Sequence, residues 1–284
     1  MGNLSTKDIL VLWHKDCLDG FGAAYAAWKH LGDTADYLPM SYDMAIPNDV
    51  GGKTIYILDF SFKSKDLITL CSMAARVILI DHHEGSRKDI EYCATKCFNL
   101  DYLFNDDRSG CVLTWDYFFG TRPPALLYYI EDRALWKFRL STTKEICLAL
   151  QECYYKSFEA WDSIVSELPD PLGRLYREGL ILISSHKKKV TKLSSSAFPV
   201  TLQGIDGYAC NADSSYSSDL GNCLAKKSGT FGLVYSYDGA KGLWKYSLRS
   251  IGTTDVSIMA KEYGGNGHER AAGFMIGRLL EELK

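Results

Sequence analysis

The chain has 284 residues, 46% of them hydrophobic and 24% charged, with a formal net charge of −3. Such a chain can bury proper cores in one large domain or two ordinary ones. Its slight acidity argues against broad nonspecific binding along a nucleic-acid backbone, while leaving room for a local basic pocket that takes a short anion.

The opening MGNLST fits an N-myristoylation pattern built on Gly2 and Thr6. No apolar run reaches the roughly 20 residues of a membrane span and no signal-peptide pattern opens the chain, so a soluble, cytoplasmic protein is expected. Apolar, strand-like runs follow at 8–13, 54–58 and 76–80, with a weaker one at 35–40. Helical patterns separate them at 20–31, ended by Gly32, and at 63–75, and further helices are expected at 109–119 and 124–133. Strands alternating with helices imply βαβ units and a mostly parallel sheet flanked by helices.

From about Asp170 to Leu193 the pattern is again helical, and the polar SSSAF then marks a boundary. The run His186-Lys187-Lys188-Lys189 reads as a solvated face of that helix. Short strands come next in PVTLQG, YACNA, TFGLVYSYDG and LWKYSLRS, with DGAKG as a hairpin turn. A helix near 255–263 and the glycine-rich YGGNGHERAAGF complete this part. The expected α/β organisation is therefore an N-terminal domain over 1–168, a helical linker over 169–196 and a smaller α+β domain over 197–284.

Chemistry-bearing residues fall at equivalent places in this plan. His14, Asp16, Cys17 and Asp19 follow the first strand, Asp59 follows the strand at 54–58, and Asp81-His82-His83 follow the strand at 76–80. Consecutive βαβ units bring the carboxyl ends of their strands to one edge, where ligands collect. Asp19, Asp59, Asp81, His82 and His83 are thus expected to converge. Several carboxylates ionise together only beside compensating positive charge. Mixed imidazole and carboxylate donors suit manganese, iron, zinc or cobalt. Two such ions about 3.5–4 Å apart form the clamp used in phosphoester hydrolysis. Taken singly, an aspartate after a strand is an ordinary helix cap or turn former. Three polar clusters at corresponding strand ends are harder to read that way. Nine cysteines without close CxxC pairs read as reduced, partly buried thiols.

These motifs carry a resemblance. VILIDHHEG, with HKDCLDGFGAA and YILDFS before it, resembles the DHH phosphoesterase superfamily. GGNGHERAAGF is similar to the glycine-rich motif of the DHH-associated C-terminal domain of oligoribonucleases and RecJ-type exonucleases. The resemblance implies that His14 and Asp19 bind two manganese ions, that Asp59 bridges them, and that His82 is a further ligand. His83 is implied as the contact to the scissile phosphate and Asp81 as the carboxylate that orients a histidine. Asp132 matches the fourth motif, with Glu131 as fallback. The first motif departs from the family pattern: Cys17 stands where an aspartate is usual and Asp16 is one position off. Asp16, a Cys17 thiolate or an under-coordinated ion are the alternatives, and a thiolate would favour zinc or iron over manganese.

In the C-terminal domain, Gly265 and Gly267 can let backbone N–H groups approach an anion, with a following helix adding its dipole. His268 and Arg249 are the side chains expected to hold phosphate there, the resemblance implying the same. A plain turn and a solvated strand-end arginine are the alternatives. The implied activity is a metal-dependent phosphodiesterase hydrolysing short oligonucleotides or linear dinucleotides to mononucleotides through a hydroxide activated by two divalent ions. Mn2+ is the first choice, with Mg2+, Co2+ or Zn2+ as alternatives. No stable complex with long nucleic acid is expected, and the oligomeric state is open, a dimer included. A 3′-phosphoadenosine 5′-phosphate phosphatase and a catalytically weak nucleotide-binding sensor are the competing readings.

Overall fold

A computed structural model describes residues 7–42, 44–154, 157–165 and 173–283. The Gly2–Thr6 acylation pattern and the expected boundary at 168/169 lie outside the described residues. The chain divides into two compact units, Met1–Ile183 and Ser184–Lys284.

The N-terminal unit holds strands β1 (Ile9–His14), β2 (Ala35–Met40), β3 (Thr54–Leu58), β4 (Arg76–Asp81) and β5 (Leu100–Phe104). All pair in parallel, in the order β2-β1-β3-β4-β5. Its helices are α1 (Leu18–Leu31), α2 (Ser64–Met73), α3 (Glu84–Ala94), α4 (Gly110–Phe119), α5 (Ala125–Ala134), α6 (Thr143–Cys153) and α7 (Phe158–Val165). Alternation along the strands feeds two cores. Leu10, Leu12, Ile55, Ile57, Val77 and Leu79 face one side, with Leu67 and Leu70 of α2 and Ile90 of α3. Val11, Trp13, Leu58, Ile78 and Ile80 face the other, with Phe21, Val112, Leu127, Ile146 and Trp161 from α1 and α4–α7. A sheet covered on both faces needs strands apolar at every position, which is why its sequence runs are unbroken.

Elements β5, α3, α6 and α7 were not expected from the pattern. β5 is an edge strand with Asp101 and Tyr102 exposed, so it lacks an apolar run. α3, EGSRKDIEYCA, buries only Ser86, Ile90 and Cys93. Helix α8 (Arg174–Ser195) lies within the expected helical linker, and the division between the compact units falls along it.

The C-terminal unit is a mixed sheet of β6 (Phe198–Leu202), β7 (Ile205–Asn211), β8 (Phe231–Asp238), β9 (Leu243–Ser250), β10 (Asn266–His268) and β11 (Ala271–Ile276), ordered β10-β11-β9-β8-β7-β6. Only β7 and β8 pair in parallel, and α9 (Ser217–Ser228), also unexpected, is their crossover. Helix α10 (Val256–Lys261) supplies Val256, Met259 and Ala260 to the opposite core. No helix among the described residues is long and apolar enough to cross a membrane.

Trp161 ties α7 to this scaffold. It is fully buried, stands edge-on to Phe21 at 4.7 Å and donates from Nε1 to the Tyr154 carbonyl at 3.1 Å. Trp161→Ala is expected to lower stability by about 3–5 kcal/mol, the usual cost of removing a buried aromatic, as read by denaturant unfolding of the intact chain.

Candidate metal centre

A sheet ordered 2-1-3-4-5 reverses its winding between β1 and β3, and the crevice outside the carboxyl ends of those strands is where ligands bind. The polar residues collect there. His14 ends β1, Asp81 ends β4, and Asp59 follows β3. After β1 the chain turns through Asp16 in the left-handed region, φ 56°, and enters α1 with Cys17 as its N-cap residue. Helix α1 then returns against the strand end so closely that a Cβ on Gly20 would lie 2.2 Å from the His14 carbonyl oxygen. That contact is the reason for the glycine in HKDCLDG.

Asp59 also has a positive φ, 63°, a region where aspartate is among the more tolerated residues. Its backbone N–H donates to the Ile80 carbonyl at 2.9 Å, anchoring it to the β3–β4 pair. The carboxylate is wholly buried. His14 Nδ1 lies 3.2 Å from Oδ2, and His82 Nε2 lies 3.1 Å from Oδ1 and 3.4 Å from Asp19 Oδ2. Asp19, in the first turn of α1, also accepts from the first-turn amides of α4: Gly110 N at 3.0 Å and Cys111 N at 2.8 Å. Two helix N-termini thus favour one buried anion. The α4 amides were not foreseen, because nothing local to SGC points to an aspartate 91 residues away.

Asp81 is a hub beneath the histidines. Its Oδ1 accepts from His82 N at 2.8 Å and pairs with His83 Nδ1 at 2.7 Å, while Oδ2 accepts from Ser86 Oγ at 2.5 Å. Tyr42, in the loop after β2, closes one side: its ring stands edge-on to His14 at 5.2 Å and to His83 at 6.5 Å.

Among the described residues, three groups of three donor atoms, each within 4.8 Å of one another, share Asp59: His14–Cys17–Asp59, Asp19–Asp59–His82 and Asp59–Asp81–His83. The first contains Cys17. Asp16 is exposed and belongs to no such group among the described residues, its left-handed turn having carried it outward. Asp132 is placed elsewhere. Its carboxylate accepts from Arg139 N at 2.7 Å, Leu140 N at 3.0 Å and Thr143 Oγ1 at 2.5 Å, so it organises the turn between α5 and α6 rather than joining the cluster. Glu131, the fallback, pairs with Arg108 Nε at 2.8 Å and Ser109 N at 3.2 Å.

The donor set fits divalent cations on two counts. Asp59 Oδ1 is buried and makes no aligned hydrogen bond although His82 Nε2 is 3.1 Å away, the relation of two ligands aimed at a common point. The protonation pattern shows excess negative charge. Burial opposes charge on His14 and His82, yet the contact with Asp59 raises both, His82 to about 9. Burial and the neighbouring Asp59 charge raise Asp19, whereas Asp59, against its own burial, is held low by His14 and His82. Burial and the Asp59 charge also raise the Cys17 thiol. The cluster gathers protons where cations would balance it.

In the C-terminal unit, Ala271 pairs with both Arg249 and His268, which puts the two basic side chains on one face of the sheet. Arg249 donates from Nη2 to Ser218 Oγ at 2.8 Å, beside the start of α9. The glycine-rich segment, however, is a β-hairpin and no helix follows it directly, contrary to the expected cradle with a helix dipole. Its glycines answer to strand packing: a Cβ on Gly265 would lie 2.2 Å from the Gly273 carbonyl oxygen, and one on Gly267, at φ 145°, 2.4 Å from that of Ala271.

Residues 8–124 match the DHH family, N-terminal domain. The match takes in strands β1–β5 and the residues of the cluster described above, and covers under half of the chain. It is 29% identical over 292 aligned positions to an uncharacterised protein of Acanthamoeba polyphaga mimivirus. That alignment covers 93% of this chain and 66% of the viral protein, so the chain spans just under two thirds of that relative's length. An exopolyphosphatase-related protein from Bacteroides fragilis shares the fold, with a TM-score of 0.54 at 15% identity over 97% of this chain and 88% of that one. A pGpG-specific phosphodiesterase from Vibrio cholerae aligns with a TM-score of 0.48 at 12% identity, covering 95% of this chain and 93% of its own.

Gly110 abuts the centre directly, since a Cβ there would lie 2.5 Å from Asp59 Oδ1. Gly110→Ala is expected to displace the shared carboxylate and weaken Mn2+ binding by about 10- to 100-fold, the range typical of disturbed ligand support. Isothermal titration with Mn2+, alongside circular dichroism to show a retained fold, checks this.

Proposed function

We propose that this DHH protein is a metal-dependent phosphoesterase whose substrates are short oligonucleotides or linear dinucleotides. The observation that carries the reading is the Asp59 carboxylate, buried and common to three groups of potential ligands at the switch point of the sheet. Divalent cations held there would lower the pKa of water and draw charge from phosphoryl oxygens. His14, Cys17 and Asp59 would hold one, and Asp19, Asp59 and His82 the other.

The chain's own groups do the rest. Asp81 engages His83 at Nδ1, so Nε2 is the atom at which His83 holds or gives up a proton beside a substrate oxygen. The same hydrogen bond fixes the ring's orientation, and Ser86 fixes Asp81 in turn. In the C-terminal unit, Arg249 and His268 offer donors to a phosphate, with Ser218 steering the guanidinium. Donors of differing softness bear on metal choice: the thiol-containing group leans to zinc or iron, the carboxylate–imidazole group to manganese or its neighbours. The acidic net charge supports a short substrate over a long nucleic-acid track.

Asp59→Asn keeps the shape of the shared ligand and removes its charge. Mn2+ stoichiometry is expected to fall below that of the unmodified protein, and turnover by about 10²–10³ or more. Both are to be measured over a panel of labelled tetranucleotides, pGpG and 3′-phosphoadenosine 5′-phosphate. Undiminished turnover in this variant would falsify the scheme, and turnover confined to 3′-phosphoadenosine 5′-phosphate would replace the diesterase reading with a monoesterase one.

A further inference from the structure

The turn between α5 and α6 is built unusually. Trp136 and Phe138 both have left-handed backbones, φ 55° and 47°, which bulky side chains rarely adopt. Asp132 gathers much of the turn's hydrogen bonding. The Asp132 carbonyl accepts from Lys137 N at 2.9 Å and Phe138 N at 3.2 Å, and its buried carboxylate accepts from Arg139 N, Leu140 N and Thr143 Oγ1. Such strain persists only where surrounding contacts over-determine it, and it collects at ligand-handling sites.

The turn presents two aromatic rings and three cations. Trp136 and Phe138 are half-buried, 4.8 Å apart and nearly perpendicular. Lys137, Arg139 and Lys144 are exposed, with Lys144 Nζ 4.7 Å from the Phe138 ring. Three exposed cations beside two rings stand out in a chain with a net charge of −3. The turn is also wired to the metal centre within the same unit. Lys137 Nζ donates to the Asp107 carbonyl at 3.1 Å. Glu131 holds Arg108 and Ser109 N, and the next two amides bind Asp19.

We infer that the 136–139 turn is a stacking platform for an unpaired nucleobase, with Lys137 and Arg139 taking the adjoining phosphodiester. Aromatic faces bind any base through its π surface, and cations beside them track the backbone, the combination used for single-stranded nucleic acid. The inference deepens the proposed function by assigning base-bearing phosphodiesters to the same unit.

The test is binding in EDTA, where no hydrolysis occurs, of labelled tetraadenylate and of an abasic phosphodiester of equal length and charge. The unmodified chain is expected to prefer tetraadenylate by about tenfold. Trp136→Leu, which keeps apolar bulk, should lose most of that preference, whereas Trp136→Phe should retain most of it. Arg139→Gln should weaken both ligands alike and reduce the salt dependence of binding by about one phosphate contact. Equal affinity of the unmodified chain for the two ligands overturns the platform, as does an unchanged preference in Trp136→Leu. Because the readout is affinity without metal, its failure is separate from failure of the catalytic reading, which shows as absent turnover with Mn2+.

Discussion

The Asp59 carboxylate is the group on which the rest of the centre depends. It is a fully buried anion, placed where the sheet reverses its winding, at a backbone conformation few residues tolerate. An isolated charge in such a place is costly by many kcal/mol. Two histidines offset that cost, one from the end of β1 and one from just past β4. Asp19 intensifies the problem by adding a second buried carboxylate within reach of the same imidazole. The α4 amides relieve Asp19 only in part, and burial together with the Asp59 charge still pushes it toward its protonated form. A divalent cation would balance what the protein groups leave over.

This arrangement explains why close packing recurs around the centre. Gly20 lets α1 lie against the end of β1, which brings Asp19 inward. Gly110 lets α4 approach Asp59, which brings its first amides to Asp19. Both glycines stand where a Cβ would strike the scaffold, so they act through geometry and not through flexibility. Asp81 extends the same logic outward: it touches both histidines of the DHH triplet through their backbone amides and fixes one ring through Nδ1.

What was legible in the sequence follows from where the information lies. β1, β3 and β4 are buried on both faces, so their apolar runs are continuous, and residues after equivalent runs meet at one edge. That placed His14, Asp19, Asp59 and the DHH triplet together before any coordinates. β5 and α3 bury little of themselves along their length and leave a weak periodic signal, while α9 buries a stripe of small and polar residues around Leu220 and Leu224 that reads weakly as apolar. Asp132 could not be told from a ligand, because what distinguishes it is three donors from the turn that follows, a tertiary fact. The glycine-rich segment shows the reverse error. Close glycines fit an anion cradle and a tight hairpin equally well, and only the register with β9 separates them. Asp16 sits at a left-handed torsion and is exposed, whereas Cys17 falls within a donor group around Asp59, and that torsion is not legible in the sequence.

That torsion has a chemical consequence for the proposed function. With Asp16 exposed, two of the donor groups around Asp59 differ in kind: one has imidazole, thiol and carboxylate, the other two carboxylates and imidazole. The Cys17 thiol is raised by burial and by Asp59, so it is protonated near neutrality until a cation takes its place. Ligation there would release a proton, which would make affinity at that position depend on pH and on how strongly the cation prefers sulfur. The second group carries no thiol and discriminates by charge and geometry instead. Were cations held in both groups, sharing Asp59 would couple them, because a cation beside that carboxylate would reduce the negative charge available to the other. Selection at one position would therefore bear on occupancy at its neighbour, so a cysteine where the first motif usually has an aspartate would reach beyond the one ligand it replaces.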